Sequence, residues 1–434
     1  MKLSIKPYKG ARDFYPEDQA IREYMFGVMK QTVKKYGYQE YDAPLIEPIE
    51  LYKAKSGEEI VSEQTYSFVD RGGREVAIRP EMTPSVSRMV AARRQELSYP
   101  LRWFSIPNLW RYERPQRGRF REHWQLNVDL FGVQSIAAEL ELMMVAGDIF
   151  NAFGATNEMY TIRVNHRQLL NAIFFNYLEL SQDQGLGMAH LIDRRNKLEH
   201  GQFLSRMDEL LTPEQKEEGL AEKILKIFDI KKLKDLPSSL QSIPASLELQ
   251  KLLAACSAQG LNNIQFDISL VRGFDYYSGI VFELFDNDPE NKRSMLGGGR
   301  YDGLVGLFGV EPLPTVGFGL GDATLLNFLT LHHLLPELKS PVDLIIAPVG
   351  DGETQAGATL AATELRKLGV NVAVDYSGRK LADQFKAAQK KQVNYLLIVG
   401  PKELESQKFT LRDLSQSSEV SLSLKQVAAK FKVT

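Results

Sequence analysis

Arg111-Tyr-Glu-Arg-Pro-Gln-Arg-Gly-Arg-Phe-Arg121 packs Arg111, Arg114, Arg117, Arg119 and Arg121 into one short segment with Gly118 near its middle. On either side, residues 102–106 and 126–131 are short runs of apolar, aromatic and β-branched residues, the composition of strands. The arginines therefore belong on a hairpin loop. A guanidinium is a planar, permanently charged fork that pairs with phosphate in bidentate fashion, so such a loop suits a nucleotide triphosphate or an RNA backbone. The plain alternative is a solvated basic hairpin. Similar strand-like runs at 75–78, 264–270 and 280–285 predict an α+β fold around a mostly antiparallel sheet.

Outward from the hairpin, apolar residues recur on a helical period at Ile21, Met25, Val28, Met29 and Val33, with Gly37 placed to stop the helix, and again over 135–153. From about 165 to 260 the texture becomes Lys, Glu, Gln and Leu, which predicts a mainly helical insertion. Residues 331–341 read as a linker. Beyond it, buried-strand patterns at 342–347, 370–374 and 395–399 alternate with helical ones at 353–368 and 380–391, which predicts a small α/β domain over 342–434 with a largely parallel sheet. The first domain then spans 1–330.

The chain of 434 residues carries 53 Lys and Arg against 55 Asp and Glu, so no bulk positive field advertises a nucleic-acid partner, although a local cluster is hidden in that average. Cys256 is the sole cysteine, which excludes a disulfide framework and thiolate metal sites and fits a reducing, cytoplasmic setting. The six histidines are dispersed, with no ligand pair, so no dedicated protein metal site is expected. No apolar run reaches membrane-spanning length and no signal-peptide core opens the chain. Neither G-x-x-x-x-G-K-[ST] nor G-x-G-x-x-G occurs, so any nucleotide would be held by arginines on a sheet rather than by a P-loop or Rossmann turn.

Two further constellations carry polar chemistry. Val271-Arg-Gly-Phe-Asp-Tyr-Tyr-Ser-Gly-Ile-Val-Phe-Glu283 brings Arg272, Asp275, Tyr276 and Tyr277 to a bend before a strand, where buried tyrosines need partners and suggest a polar pocket; tyrosines on a half-buried sheet face are the alternative. In Leu296-Gly-Gly-Gly-Arg-Tyr-Asp-Gly303 the glycines let the backbone approach a ligand, or simply form a tight turn.

Taken together, these segments resemble the class II aminoacyl-tRNA synthetases and, within them, the histidyl-tRNA synthetase family. Tyr36-Gly-Tyr-Gln-Glu-Tyr-Asp-Ala-Pro44 is similar to class motif 1, residues 103–132 to motif 2, and residues 270–283 and 296–303 to the two signatures peculiar to the histidine enzymes. The C-terminal segments Asp375-Tyr-Ser-Gly-Arg-Lys380 and Leu396-Leu-Ile-Val-Gly400 resemble an anticodon-binding domain. The resemblance implies a six-stranded-type class II catalytic sheet, a homodimer, ATP with Mg²⁺, L-histidine and tRNA(His). It implies Arg111 and Arg272 as catalytic residues, with Glu113, Arg119 and His123 joining Arg111 on ATP. The histidine pocket would draw on Glu81, Thr83, Gln125, Asp129, Arg272, Tyr276, Tyr277 and Tyr301, and the tRNA acceptor end would meet Gln116, Arg117 and Arg121.

Two positions depart from the family pattern. Thr324 stands where motif 3 carries an arginine that clamps the nucleotide, so another arginine takes over, ATP is held differently, or activity is reduced. Asp129 is one methylene shorter than the glutamate usual in the family. The rival readings are the non-catalytic paralogue that regulates ATP phosphoribosyltransferase, a synthetase for threonine, proline or glycine, and a pure RNA-binding protein.

Overall fold

The computed structural model describes residues 3–53, 64–116, 118–195, 198–271, 277–338 and 340–431. The chain forms two compact units, Met1–Leu335 and Pro336–Thr434. Among the described residues no helix is long and apolar enough to cross a membrane.

The first unit is built on a nine-stranded sheet. Six of its strands pair antiparallel in the order Leu101–Ser105, Glu122–Phe131, Thr315–Gly321, Ser294–Arg300, Ile280–Asp286 and Tyr160–His166. The mostly antiparallel sheet expected from the sequence is mixed at its two edges. Gln39–Glu40 joins Leu101–Ser105 in parallel, and Ile264–Phe266 joins Tyr160–His166 in parallel, because each edge strand reaches its partner by a crossover rather than a hairpin. Residues 75–78 do form a strand, but in a separate three-stranded sheet with Ile46–Pro48 and Tyr66–Val69. Between Tyr160–His166 and Ile264–Phe266 the chain is helical from Arg167–Asn171 to Pro244–Ala258.

Register explains why the large sheet has two unlike faces. Side chains alternate along a strand, and Leu126, Val128, Leu130, Val316, Phe318, Leu320, Phe282 and Leu284 all point into one core. The helices Pro16–Lys35 and Ala137–Ala152 cover that face with Met25, Met29, Val33, Leu142, Val145 and Ile149. The residues between them fall on the opposite face. There Asn127 pairs with Gly319 and Asp129 with Gly317, and across the next ladder Gly319 pairs with Gly297 and Gly317 with Gly299. Four glycines therefore pave the middle of this face, which the helix Thr83–Ala92 covers only at one end, where Val86 and Val90 pack on Leu101 and Phe131.

In the second unit the strand order is Val372–Val374, Leu344–Pro348, Tyr395–Val399, Phe409–Asp413 and Ser418–Leu422. Only the first three are parallel; a terminal hairpin extends the sheet antiparallel, a mixed arrangement that the apolar patterning did not anticipate because Ser418–Leu422 is almost fully exposed. Leu344 and Ile346 pack beneath the helix Gly352–Lys367, while Ile345 and Ala347 pack against the side of Leu381–Lys390. Both faces of this sheet are covered.

Candidate functional site

The glycine face holds a polar cavity of about 80 Å³ lined by Glu81, Thr83, Arg111, Gln125, Asn127, Asp129, Tyr277, Gly297, Tyr301, Gly317, Phe318 and Gly319. Every described residue that the sequence assigned to histidine, Glu81, Thr83, Gln125, Asp129, Tyr277 and Tyr301, lies in this one wall set, with Arg111 on it as well. Arg272, Tyr276 and Arg117 lie outside the described residues. A larger cavity of about 280 Å³, lined by Pro48, Leu51, Leu304, Leu307 and Phe308 among others, is almost wholly apolar and offers little chemistry.

The glycine floor is a steric requirement. A Cβ at Gly317 would lie 2.6 Å from the Tyr301 hydroxyl, and one at Gly319 would lie 2.5 Å from Gln125 Nε2. Side chains from the neighbouring strands are thus laid flat across positions that hold none. Asp129 is buried on this floor and accepts a hydrogen bond from the Tyr301 hydroxyl through Oδ1, with the Tyr41 hydroxyl acting on the same carboxyl. Burial pushes its carboxyl up to about 7 against the pull of the tyrosine hydrogen bonds. A buried carboxyl on a cavity wall is an acceptor for an N–H once ionised. Asn127, which the sequence reading missed, donates to the Gln125 carbonyl at 3.0 Å and fixes the strand edge; its alternation with Gln125 and Asp129 was the available signal.

Buried arginines hold the frame. Arg79 donates from Nε to the Asn108 carbonyl at 2.9 Å and from Nη1 to Asp42 at 3.0 Å and the Ala43 carbonyl at 2.6 Å, tying residues 42–43 to the turn that carries Glu81. Arg300, next to Tyr301, makes a two-pronged pair with the buried Glu139, 2.6 Å from Nε and 2.8 Å from Nη2, and also donates to the Val133 and Ser135 carbonyls.

The arginine loop runs from the short strand Asn108–Trp110 to Glu122–Phe131. Arg111 donates to the Pro80 carbonyl at 2.8 Å, which sets it on the cavity rim. Gln116 and Arg119 bridge across a tight turn in which Gly118 takes φ +72°. Arg119 pairs with the buried Glu113 at 2.5 Å. Arg121 is buried at the loop base, donating to the Glu113 carbonyl and the Tyr8 hydroxyl and lying 4.0 Å over the Tyr112 ring, so it braces the loop while Gln116 is exposed. Burial and the cations Arg111, Arg12 and Arg119 depress His123 to about 3, so its ring is neutral and marks a focus of positive potential. Thr324 donates to the Gly321 carbonyl at 3.2 Å in the first turn of the helix Asp322–Leu331. Beside it, Asp322 is buried and paired with Arg12 at 2.7 Å.

A polar, glycine-floored pocket with an arginine on its rim and a cationic loop next to it has the parts to hold a small zwitterion against a polyphosphate. Comparison with known proteins agrees. The histidyl-tRNA synthetase family pattern matches residues 10–325, and an anticodon binding domain matches residues 343–434. The chain is 45% identical to a histidine–tRNA ligase of Leptospira biflexa over 99% of this chain and 98% of that one. It is 38% identical to that of Haloarcula marismortui over 96% and 95% of the two chains. Its fold matches a histidyl-tRNA synthetase crystal structure from Nostoc sp. PCC 7120 with a TM-score of 0.80 over 99% of each chain, at 23% identity. It also matches an ATP phosphoribosyltransferase regulatory subunit/histidyl-tRNA synthetase from Bacillus halodurans C with a TM-score of 0.73, covering 92% of this chain and 99% of that one, at 20% identity. With the family pattern spanning most of its length and close relatives covering nearly all of it, the chain belongs to the histidyl-tRNA synthetase family.

Proposed function

We propose that the chain activates L-histidine with ATP, releasing pyrophosphate, and then transfers the histidyl group to the 3′ end of tRNA(His). The observation that carries this reading is the cavity in which the buried carboxyl of Asp129, held by the Tyr301 hydroxyl, stands with Gln125, Tyr277 and Tyr301. An imidazole N–H gives that carboxyl a hydrogen bond, and no aliphatic side chain does. Leaving such a group unpaired discriminates against wrong side chains by roughly 10⁴ or more without editing.

In this mechanism Glu81 takes the substrate ammonium, and the carboxylate lies toward Arg111 on the rim, where it attacks the α-phosphate. Arg111 and Arg272 stabilise the charge that builds on the transferring phosphoryl group, which is the main task in phosphoryl chemistry. Glu113, Arg119 and the neutral His123 border the nucleotide. Mg²⁺ is assigned to the triphosphate itself, where it would neutralise phosphate charge beside the arginines.

Gln116, Arg117 and Arg121 are assigned to the acceptor end of the tRNA, with Arg121 acting through the loop it braces. The division into a catalytic domain over 1–330 with its helical insertion, a linker over 331–341 and an anticodon domain over 342–434 is part of the same reading, as are a homodimer formed through residues 36–44 and a cytoplasmic setting.

ATP–pyrophosphate exchange with each amino acid in turn tests the reading. Exchange with histidine alone is expected; exchange with another amino acid, or with none, overturns it. Absence of exchange would favour the regulatory-subunit reading, for which Thr324 is the motivating residue. Arg272→Ala should abolish adenylate formation while histidine still binds, and near-normal exchange would remove Arg272 from the mechanism. A chain ending at residue 335 should activate histidine but charge tRNA poorly.

A further inference from the structure

Away from the histidine cavity, three distant segments converge at Gly118. A Cβ built there would lie 3.1 Å from Asn327 Nδ2, 3.5 Å from Thr324 Cγ2 and 3.8 Å from Arg293 Cδ. The tip of the arginine loop thus touches the first turns of the helix Asp322–Leu331 and the residue just ahead of the strand Ser294–Arg300. Arg293 Nη2 donates to the side-chain oxygen of Gln116, a neutral group at the loop tip.

The cations around this point differ in what they hold. Arg119 is engaged with Glu113 at 2.5 Å and Arg12 with Asp322 at 2.7 Å, the latter also 4.3 Å over the Phe120 ring. Arg121 is tied to Tyr8 and the Glu113 carbonyl. Arg293 pairs with no carboxylate among the described residues. An anion can therefore take its guanidinium by displacing one amide hydrogen bond, with no ion pair to break, and a charge-assisted bidentate contact is stronger than the amide bond it replaces.

Position argues for the same partner. Arg111 stands on the histidine cavity, so the α-phosphate belongs there and the remainder of the triphosphate must run away from the cavity, over the loop that continues from Arg111. The helix N-terminus at Thr324 contributes partial positive charge but no full cation. We propose that Arg293 binds the terminal phosphates of ATP, and the pyrophosphate that leaves, by exchanging Gln116 for phosphate oxygens, with the Asn327 amide donating beside it. The proposal rests on ATP occupying the arginine loop as set out above. It adds a residue from outside that loop as the holder of the leaving group.

The test is histidine-dependent ATP–pyrophosphate exchange by the full chain carrying Arg293→Ala or Arg293→Lys, with thermal melting of each variant alongside. In Arg293→Ala the KM for ATP and for pyrophosphate should each rise roughly 10- to 100-fold, the value of a charged hydrogen-bonded contact. The histidine KM and inhibition by AMP, which lacks the terminal phosphates, should stay unchanged. Arg293→Lys should recover part of the loss. ATP and pyrophosphate KM values within twofold of wild type overturn the proposal, as does an equal loss for AMP and histidine, which would mean that Arg293 only supports the fold. Wild-type protein without exchange would refute the ATP reading itself, an outcome distinct from a normal wild type with a normal variant.

Discussion

The two units use a β-sheet in opposite ways. In the second unit Leu344–Pro348 is apolar at successive positions, and alternate residues are consumed by helices on either side, Leu344 and Ile346 on one, Ile345 and Ala347 on the other. In the first unit one face is covered by helices, while the other is covered only in part, where Val86 and Val90 pack on Leu101 and Phe131, and the strands alternate apolar residues with Asn127, Asp129, Gly317 and Gly319. A sheet buried on both faces offers ligands only its ends and edges, whereas a sheet whose second face is covered only in part can carry a pocket on its middle strands. The lesson is that the residues missing from a hydrophobic pattern locate the chemistry.

Several substitutions break or sharpen this contrast. Gly317→Val puts bulk on the open face, against Asp129 and the Tyr301 hydroxyl, and should reduce histidine-dependent exchange by roughly 10²–10³-fold while circular dichroism stays native, since displacing a reactant by about 1 Å costs about 10²-fold. On the covered sheet, Ile346→Ala should lower the stability of the second unit by about 2–5 kcal/mol, read by denaturant unfolding, and leave histidine activation by the first unit intact.

Asp129→Asn should raise the histidine KM by roughly 10-fold or more at pH 8. Because the wild-type carboxyl is held near 7, the ratio of mutant to wild-type KM should shrink below pH 6, where Asp129 is protonated; a ratio constant with pH would remove it from the ring contact. The linked stability effect has a defined sign. The folded value lies above the ordinary 3.8, so this group's contribution is most favourable below pH 4 and is lost as pH rises through 7, a slope that Asp129→Asn should abolish. At the low end, Val420→Thr on the exposed strand Ser418–Leu422 should change stability by no more than about 0.5 kcal/mol.

Legibility in the sequence followed the same division. Strands such as Leu126–Phe131, where one face is apolar, were readable because alternation is a local signal, and the arginine loop was readable because its charges are contiguous. The residues assigned to histidine came mostly through the family resemblance and were brought to one cavity by the pairing of Glu122–Phe131, Thr315–Gly321 and Ser294–Arg300 and by the turn at Glu81, which no local pattern encodes. The edge strand Gln39–Glu40 escaped notice because it is only two residues long and exposed, whereas the run at 264–270 was read as a strand and only its parallel pairing was not. The terminal hairpin escaped because an exposed edge strand carries no apolar run. Arg121 looked like a loop arginine offered to RNA, and only its packing under Tyr8 and Tyr112 distinguishes a brace from a contact.

The neutral ring of His123 has a consequence for how activity responds to acidity. On the assignment proposed above, that imidazole, held near 3, and the permanent guanidinium charges would keep the ATP-facing cations unchanged from mildly acid to alkaline conditions. Asp129, held near 7, would change charge over the same range. Proton sensing would then fall on the amino-acid end of the pocket and phosphate handling on the other, so mild acidification should weaken histidine binding more than ATP binding.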